Sequence, residues 1–198
     1  MEFEGAPATY ALIVANLIAS LYGLLGDRKF VNDFAFHVGA LSRRKQHYRV
    51  FTSSFLHVDF FHLLFNMMTL LFFGPTVERI LGTDGFLVVY FGAILVSGMV
   101  SFYANRERLD YSSIGASDAV SGIVLSYCVF FPLNPIYIMF IPIGIPAILY
   151  GVLFIIISAR LMGREGNRIA HEGHLGGAIA GVALTVALRP DVIGQIFG

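Results

Sequence analysis

The chain has 198 residues, 57% of them hydrophobic and 13% charged, with a mean hydropathy of +0.75. Soluble domains carry about 25% charged residues, so this composition excludes an ordinary soluble globule, and its long apolar runs exclude a disordered chain. Thirteen Lys+Arg balance thirteen Asp+Glu, which leaves no basic footprint for a nucleic-acid partner. The single cysteine, Cys128, excludes an internal disulfide framework and any cysteine-based zinc site. Composition therefore predicts an all-α, multi-pass integral membrane protein.

A membrane helix needs about 20 mostly apolar residues, and the chain offers six such stretches. The first, 8–25, has no charge at all. A long connection follows, about 26–49, with Arg28, Lys29, Arg43, Arg44, Lys45 and Arg49 among interrupted apolar residues. It reads as a loop lying in the membrane interface. Span two is predicted over about 51–74, closed by Gly74-Pro75, and span three over about 85–103, entered through Gly82-Thr83-Asp84-Gly85. Span four covers about 114–131 and stops at Pro132. A chargeless stretch with Pro132, Pro135, Pro142 and Pro146 reads as a re-entrant or interfacial link. Span five follows at about 146–161, and span six at about 171–188 is stopped by Arg189-Pro190. The acidic start, with Glu2 and Glu4, predicts no secretory leader. The whole chain, 1–198, reads as one membrane domain with a six-helix core over about 8–188.

Ionisable groups inside a bilayer cost several kcal/mol unless paired or hydrated, so each is a functional candidate. Span two carries His57, Asp59, His62 and Asn66, with His62 and Asn66 one turn apart on one face. Span four opens with Ser117, Asp118 and Ser121, and span six with His171 and His174 ahead of a glycine-rich face. Serines and glycines in membrane helices commonly serve close packing, as Gly177 and Gly181 would. Packing does not require His, Asn and Ser from three parallel spans at a similar depth. A nucleophile needs an adjacent base, and a developing oxyanion needs donors aimed at it. Ser117 as nucleophile, His174 as base, and Asn66 with His62 as oxyanion donors would supply those parts. Gly115, Gly122, Gly176 and Gly177 would let spans four and six approach.

These residues resemble the rhomboid intramembrane serine proteases. The pattern HxxxxHxxxN is present as His57, His62 and Asn66. Ahead of it, HYRVFTSSFLH is similar to the family's WR-containing entry, with Tyr48 in the tryptophan position and Arg49 retained. FGPTVERILG, with Glu78, FIPIGIPA and HEGHLGGAIAG are similar to later family segments, so the resemblance covers about 48–188. It implies a six-transmembrane-helix bundle in the plasma or inner membrane of a prokaryote. It also implies a serine endopeptidase that cleaves transmembrane segments of membrane proteins through a Ser117–His174 dyad. Asn66, His62 and the Ser117 N–H would form the oxyanion hole, with His57 and Arg49 as structural neighbours. The implied partners are transmembrane substrates and the lipid bilayer; no metal or organic cofactor is implied, and the oligomeric state stays open.

One departure is Asp118, which stands where the family's GxSG has its second glycine. A carboxylate about 5 Å from an oxyanion would cost several kcal/mol at low dielectric, unless it points into water, pairs with a loop arginine or is protonated. Topology adds a tension. Eleven of the thirteen cations fall on the side where Ser117 and His174 open, against Arg79 and Arg189 on the other. The positive-inside rule puts the crowded side in the cytoplasm, whereas the resemblance puts the site outside; the reading adopted follows the resemblance. Among rivals, His171 and His174 are three apart, so the HExxH zinc motif is not met. An aspartyl protease built on Asp59 and Asp118 lacks fitting glycines, and a proton-relay transporter would not need the Ser/Gly arrangement. The remaining alternative is a catalytically impaired rhomboid-like protein that binds membrane-protein clients, against which both Ser117 and His174 are retained.

Overall fold

The computed structural model describes residues 5–26, 28–137, 143–162 and 171–197. Glu2, Glu4 and Pro142, which figure in the sequence reading, and Arg164 and Arg168, two of the eleven cations counted there, lie outside the described residues. The chain is mainly helical, as composition predicts, with two two-stranded antiparallel pairs at its margins.

Helix α1, Pro7–Leu25, starts with proline where its missing N–H is harmless. Its next two amide groups and the Thr9 hydroxyl donate to the buried Glu78 carboxylate, at 2.9, 2.8 and 2.7 Å. The Glu78 side chain thus supplies the anion that a helix N-terminus attracts. Four short segments follow: α2, Arg28–Phe34; strand β1, Phe36–His37; α3, Val38–Arg44; and α4, Arg49–Thr52. The sequence reading of 26–49 as an interrupted loop is therefore corrected to short helices. Arg49 holds them together: its buried guanidinium donates to the Gln46 side chain at 2.7 Å and to the carbonyls of Asn32 and Ala35 at 2.7 and 2.9 Å.

Helix α5, Phe60–Asn105, is a 46-residue run made of two helices that meet at Gly82, where φ 72° and ψ 164° are open to glycine. Two expectations fail here. The chain before Phe60 is not part of span two; it forms α4, a 3-10 turn at Ser53–Phe55 and an extended stretch, so His57 precedes the helix. Nor does Gly74-Pro75 end the helix, which continues through Pro75 to the Gly82 break. Proline removes one intrahelical bond, and the long runs on both sides carry the helix across that gap. Gly74 serves another purpose, since a Cβ there would stand 2.7 Å from Thr9 Cγ2. Alpha1 and the α5 run are both long and apolar enough to cross a membrane, by length and composition.

After strand β2, Ser112–Ser113, which pairs with β1, comes α6, Ser117–Phe130. The proline-rich stretch forms strands β3, Pro135–Tyr137, and β4, Gly144–Pro146, paired in antiparallel register. Helix α7, Ala147–Leu161, and helix α8, His171–Leu188, match the predicted spans five and six, and α9, Val192–Phe197, ends the described chain. The core lies among α5, α6 and α8, filled by Leu70, Phe86, Tyr90, Ile94 and Ile123. Alpha1 packs on the outside of α5, and α7 on α6 and α8.

Candidate functional site

Close approach of α6 and α8 creates the site. A Cβ built on Gly177 would sit 2.1 Å from the Asp118 carbonyl oxygen, and one on Gly181 would sit 2.2 Å from that of Gly122. Both distances lie far inside van der Waals contact, so backbone lies against backbone and α8 admits only glycine there. Gly122 completes the contact from α6. Two glycines assigned to this interface belong elsewhere. Gly176 faces Ser97 and Val100 on α5, and Gly115 faces His62 and Ser117.

The result is a hydroxyl and an imidazole in register. Ser117, the first residue of α6, has its Oγ 2.7 Å from Nε2 of His174 in the first turn of α8. At that distance the ring nitrogen can take the hydroxyl proton. The His174 ring stacks on Phe154 of α7, with centroids 6.3 Å apart, and meets His171 edge-on at 6.1 Å. The pair opens into a cavity of about 1000 Å³, which His62, Asn66 and Gly115 also line.

The donors of α5 converge on the same cavity. Asp59 caps that helix, accepting the His62 N–H at 2.7 Å. Asn66 is buried and donates one amide hydrogen to the His62 carbonyl at 2.9 Å; a carboxamide has a second to offer. His62 Nδ1 is buried with no hydrogen-bond partner among the described residues. Gly115 has φ +147°, and a Cβ on it would stand 2.7 Å from His62 Cε1 and 3.4 Å from Ser117 Oγ. Its absence leaves open the space between the hydroxyl and the donors.

His57 is a support of the loop before Ser117. Its Nε2 accepts the Ala116 N–H at 3.3 Å, which leaves the ring proton on Nδ1 for Ser20 Oγ at 2.8 Å. Ser20 in turn donates to the Phe55 carbonyl at 2.9 Å. Arg49 acts one step farther out, through the segment bearing Asn32 and Ala35 on the cavity rim. Ser121 is buried in α6 behind Ser117.

Asp118 meets no arginine among the described residues, and its partly exposed side chain lines the same cavity as Ser117 and His174. Its Oδ2 accepts from Ser97 Oγ on α5, and its Oδ1 lies 4.0 Å from His174 Nε2. Ser97 carried no signal in the sequence, where it looks like one more small residue in an apolar span. The same holds for Tyr111 and Asn105, which donate to the buried Glu172 at 2.6 and 2.9 Å. Burial, with Glu172 beside it, pushes the Tyr111 hydroxyl well above its ordinary titration range, so it stays a donor. No cluster of three or more metal-ligating side chains occurs among the described residues.

Comparison with known proteins gives one consistent result. The family model for the Rhomboid domain matches residues 44–191. The Bacillus subtilis protein YdcA, a rhomboid-protease candidate by its name, is 43% identical over 76 residues, 38% of this chain and 37% of its own. RHOMBOID-like protein 12, mitochondrial, of Arabidopsis thaliana is 29% identical over 191 residues, 87% of this chain and 56% of its own. Rhomboid protease GluP of Bacillus subtilis is 31% identical over 141 residues, 71% of this chain and 26% of its own. The chain thus spans between about a quarter and just over half the length of these curated relatives.

Proposed function

From the premise that this chain belongs to the rhomboid family, whose members are membrane-embedded, we propose that it is an intramembrane serine endopeptidase acting on transmembrane segments of membrane proteins. The observation that carries the reading is the 2.7 Å contact between Ser117 Oγ and His174 Nε2 at a cavity lined by His62 and Asn66. In this reading the chain is one membrane domain of six spans: α1, the two arms of α5 on either side of Gly82, α6, α7 and α8. Fourteen residues of α6 rise about 21 Å, short of a hydrocarbon core of about 30 Å. Ser117 at its start is then sunk below the membrane surface, and the cavity is the route for water. A prokaryotic inner membrane is the proposed location, with the cavity facing outward.

The proposed chemistry is acyl transfer. His174 Nε2 takes the Ser117 proton as Oγ bonds to the scissile carbonyl carbon. The carbonyl electron pair moves onto its oxygen, which the Ser117 N–H, Asn66 and His62 stabilise by donation. The pair returns as the C–N bond breaks, and Nε2 passes its proton to the departing amine. Water, deprotonated by the same nitrogen, then releases the acyl group and restores the hydroxyl. Gly115 leaves room for the tetrahedral carbon.

The test is covalent labelling of the membrane-reconstituted chain by a fluorophosphonate. Labelling is expected in the native protein, absent in Ser117→Ala and reduced at least about 100-fold in His174→Ala, as for loss of a general base. Equal labelling of all three would overturn the reading. No labelling of any would favour a client-binding relative that has lost activity, for which Asp118 in the glycine position is the motivating feature.

A further inference from the structure

Asp118 lies on the cavity wall and is held from three directions. Its own helix begins one residue earlier, Ser97 Oγ of the C-terminal arm of α5 donates to Oδ2, and Gly173 of α8 closes over the carboxylate. A Cβ on Gly173 would stand 2.7 Å from Oδ1 and 2.9 Å from Oδ2, so glycine at 173 makes the slot in which the carboxylate sits. Ser97 is fully buried. In this slot Oδ1 is 4.0 Å from the ring nitrogen that also contacts Ser117 Oγ.

We propose that Asp118 is a positioning residue for the dyad, a fixed counter-charge beside the nitrogen of His174 that carries the Ser117 proton during turnover. The inference rests on the hydrolase reading above. Its physical content is differential: the neutral imidazole gains little from the carboxylate, while the imidazolium that forms with the tetrahedral intermediate gains a Coulombic partner. The distance exceeds hydrogen-bond range. Asp118 therefore does not capture the proton, which stays available for the departing amine. A residue that looks in sequence like an obstacle to the oxyanion instead faces the opposite charge of the same transition state.

Other ionisable groups face this pair. Alpha8 contributes His171 and Glu172, the N-terminal arm of α5 contributes His62, and the connection before α6 contributes Tyr111. Asp59 and Arg108 line the same cavity. From α7 the ring of Phe154 covers His174, with Tyr150 stacked behind it. Glu172 has the same sign as Asp118, but its Oε1 is engaged by Asn105 and Tyr111.

The experiment measures the fluorophosphonate labelling rate of the full chain against pH, alongside cleavage of a model transmembrane segment. Asp118→Asn retains the shape and removes the charge. An opposite charge at this range favours the protonated ring by about one pH unit or more. Removing it therefore favours the neutral base, and the acid limb of labelling moves to lower pH by about one unit. Cleavage falls more than labelling, because only cleavage needs the imidazolium to protonate an amine. Ser97→Ala, which retains the charge but frees it, shifts the limb in the same direction by less. Asp118→Gly gives the same direction of shift if the asparagine variant does not fold. An unmoved acid limb in either Asp118 variant that still labels at Ser117 would overturn the inference and leave the hydrolase reading intact. Loss of Ser117-dependent labelling in the native protein would overturn the hydrolase reading itself.

Discussion

Alpha8 meets α6 backbone to backbone, whereas α7 touches the same two helices through side chains. On the first side Gly177 and Gly181 lie where even a methyl group would strike the carbonyls of Asp118 and Gly122. On the other, α7 buries Ala147, Gly151 and Ser158 while Ile148, Val152, Ile156 and Ile157 stay about half exposed. Lipid tails are as apolar as isoleucine, so an outward apolar face costs nothing in a membrane, and helix association there relies on small residues in close contact. The two helices bearing the Ser117–His174 pair are therefore the two that the sequence allows to touch most closely. The proposed reaction depends on a 2.7 Å contact and would need that rigidity, and α7 does not carry the contact.

Breaking the tight side gives the largest expected effect. Gly177→Ala forces a Cβ to within 2.1 Å of the Asp118 carbonyl unless the helices part. Its cost should reach the upper end of overpacking, about 3 kcal/mol or more, read as a lower thermal midpoint in detergent together with lost labelling. A wild-type midpoint and rate would remove the argument that backbone contact holds the site. Next comes His57→Ala, which strands the buried Ala116 N–H and should cost about 1–3 kcal/mol. Labelling should slow although His57 touches neither Ser117 nor His174; an unchanged rate would show that the loop needs no such support. Smallest is Ile156→Ala on the exposed face of α7, expected within about 0.5 kcal/mol of the native protein. A larger loss would mean that α7 is packed as firmly as α8.

The same contrast separates what could be read from the sequence. The C-terminal end of span six was legible, because a run of small and apolar residues is stopped by Arg189-Pro190. His57, His62, Asn66, Ser117 and His174 stood out because polar groups are scarce in apolar helices. Three features escaped because distant partners decide them. Pro75 does not stop α5, since the long flanking helices hold the chain across one missing bond. The 26–49 connection forms short helices and a strand, with Arg49 pinning the carbonyls of Asn32 and Ala35 around the end of α2. The direction of Asp118 depends on Ser97, 21 residues back, and on the missing side chain at Gly173.

The most direct measurement is to map the fluorophosphonate adduct on the intact, membrane-reconstituted protein by peptide mass spectrometry. A single phosphonylated residue, Ser117, is expected, with adduct formation slowed at least about 100-fold when His174 is replaced by alanine. An adduct on Ser121, Ser97 or any other hydroxyl, or one on Ser117 that forms equally fast without His174, would contradict this expectation.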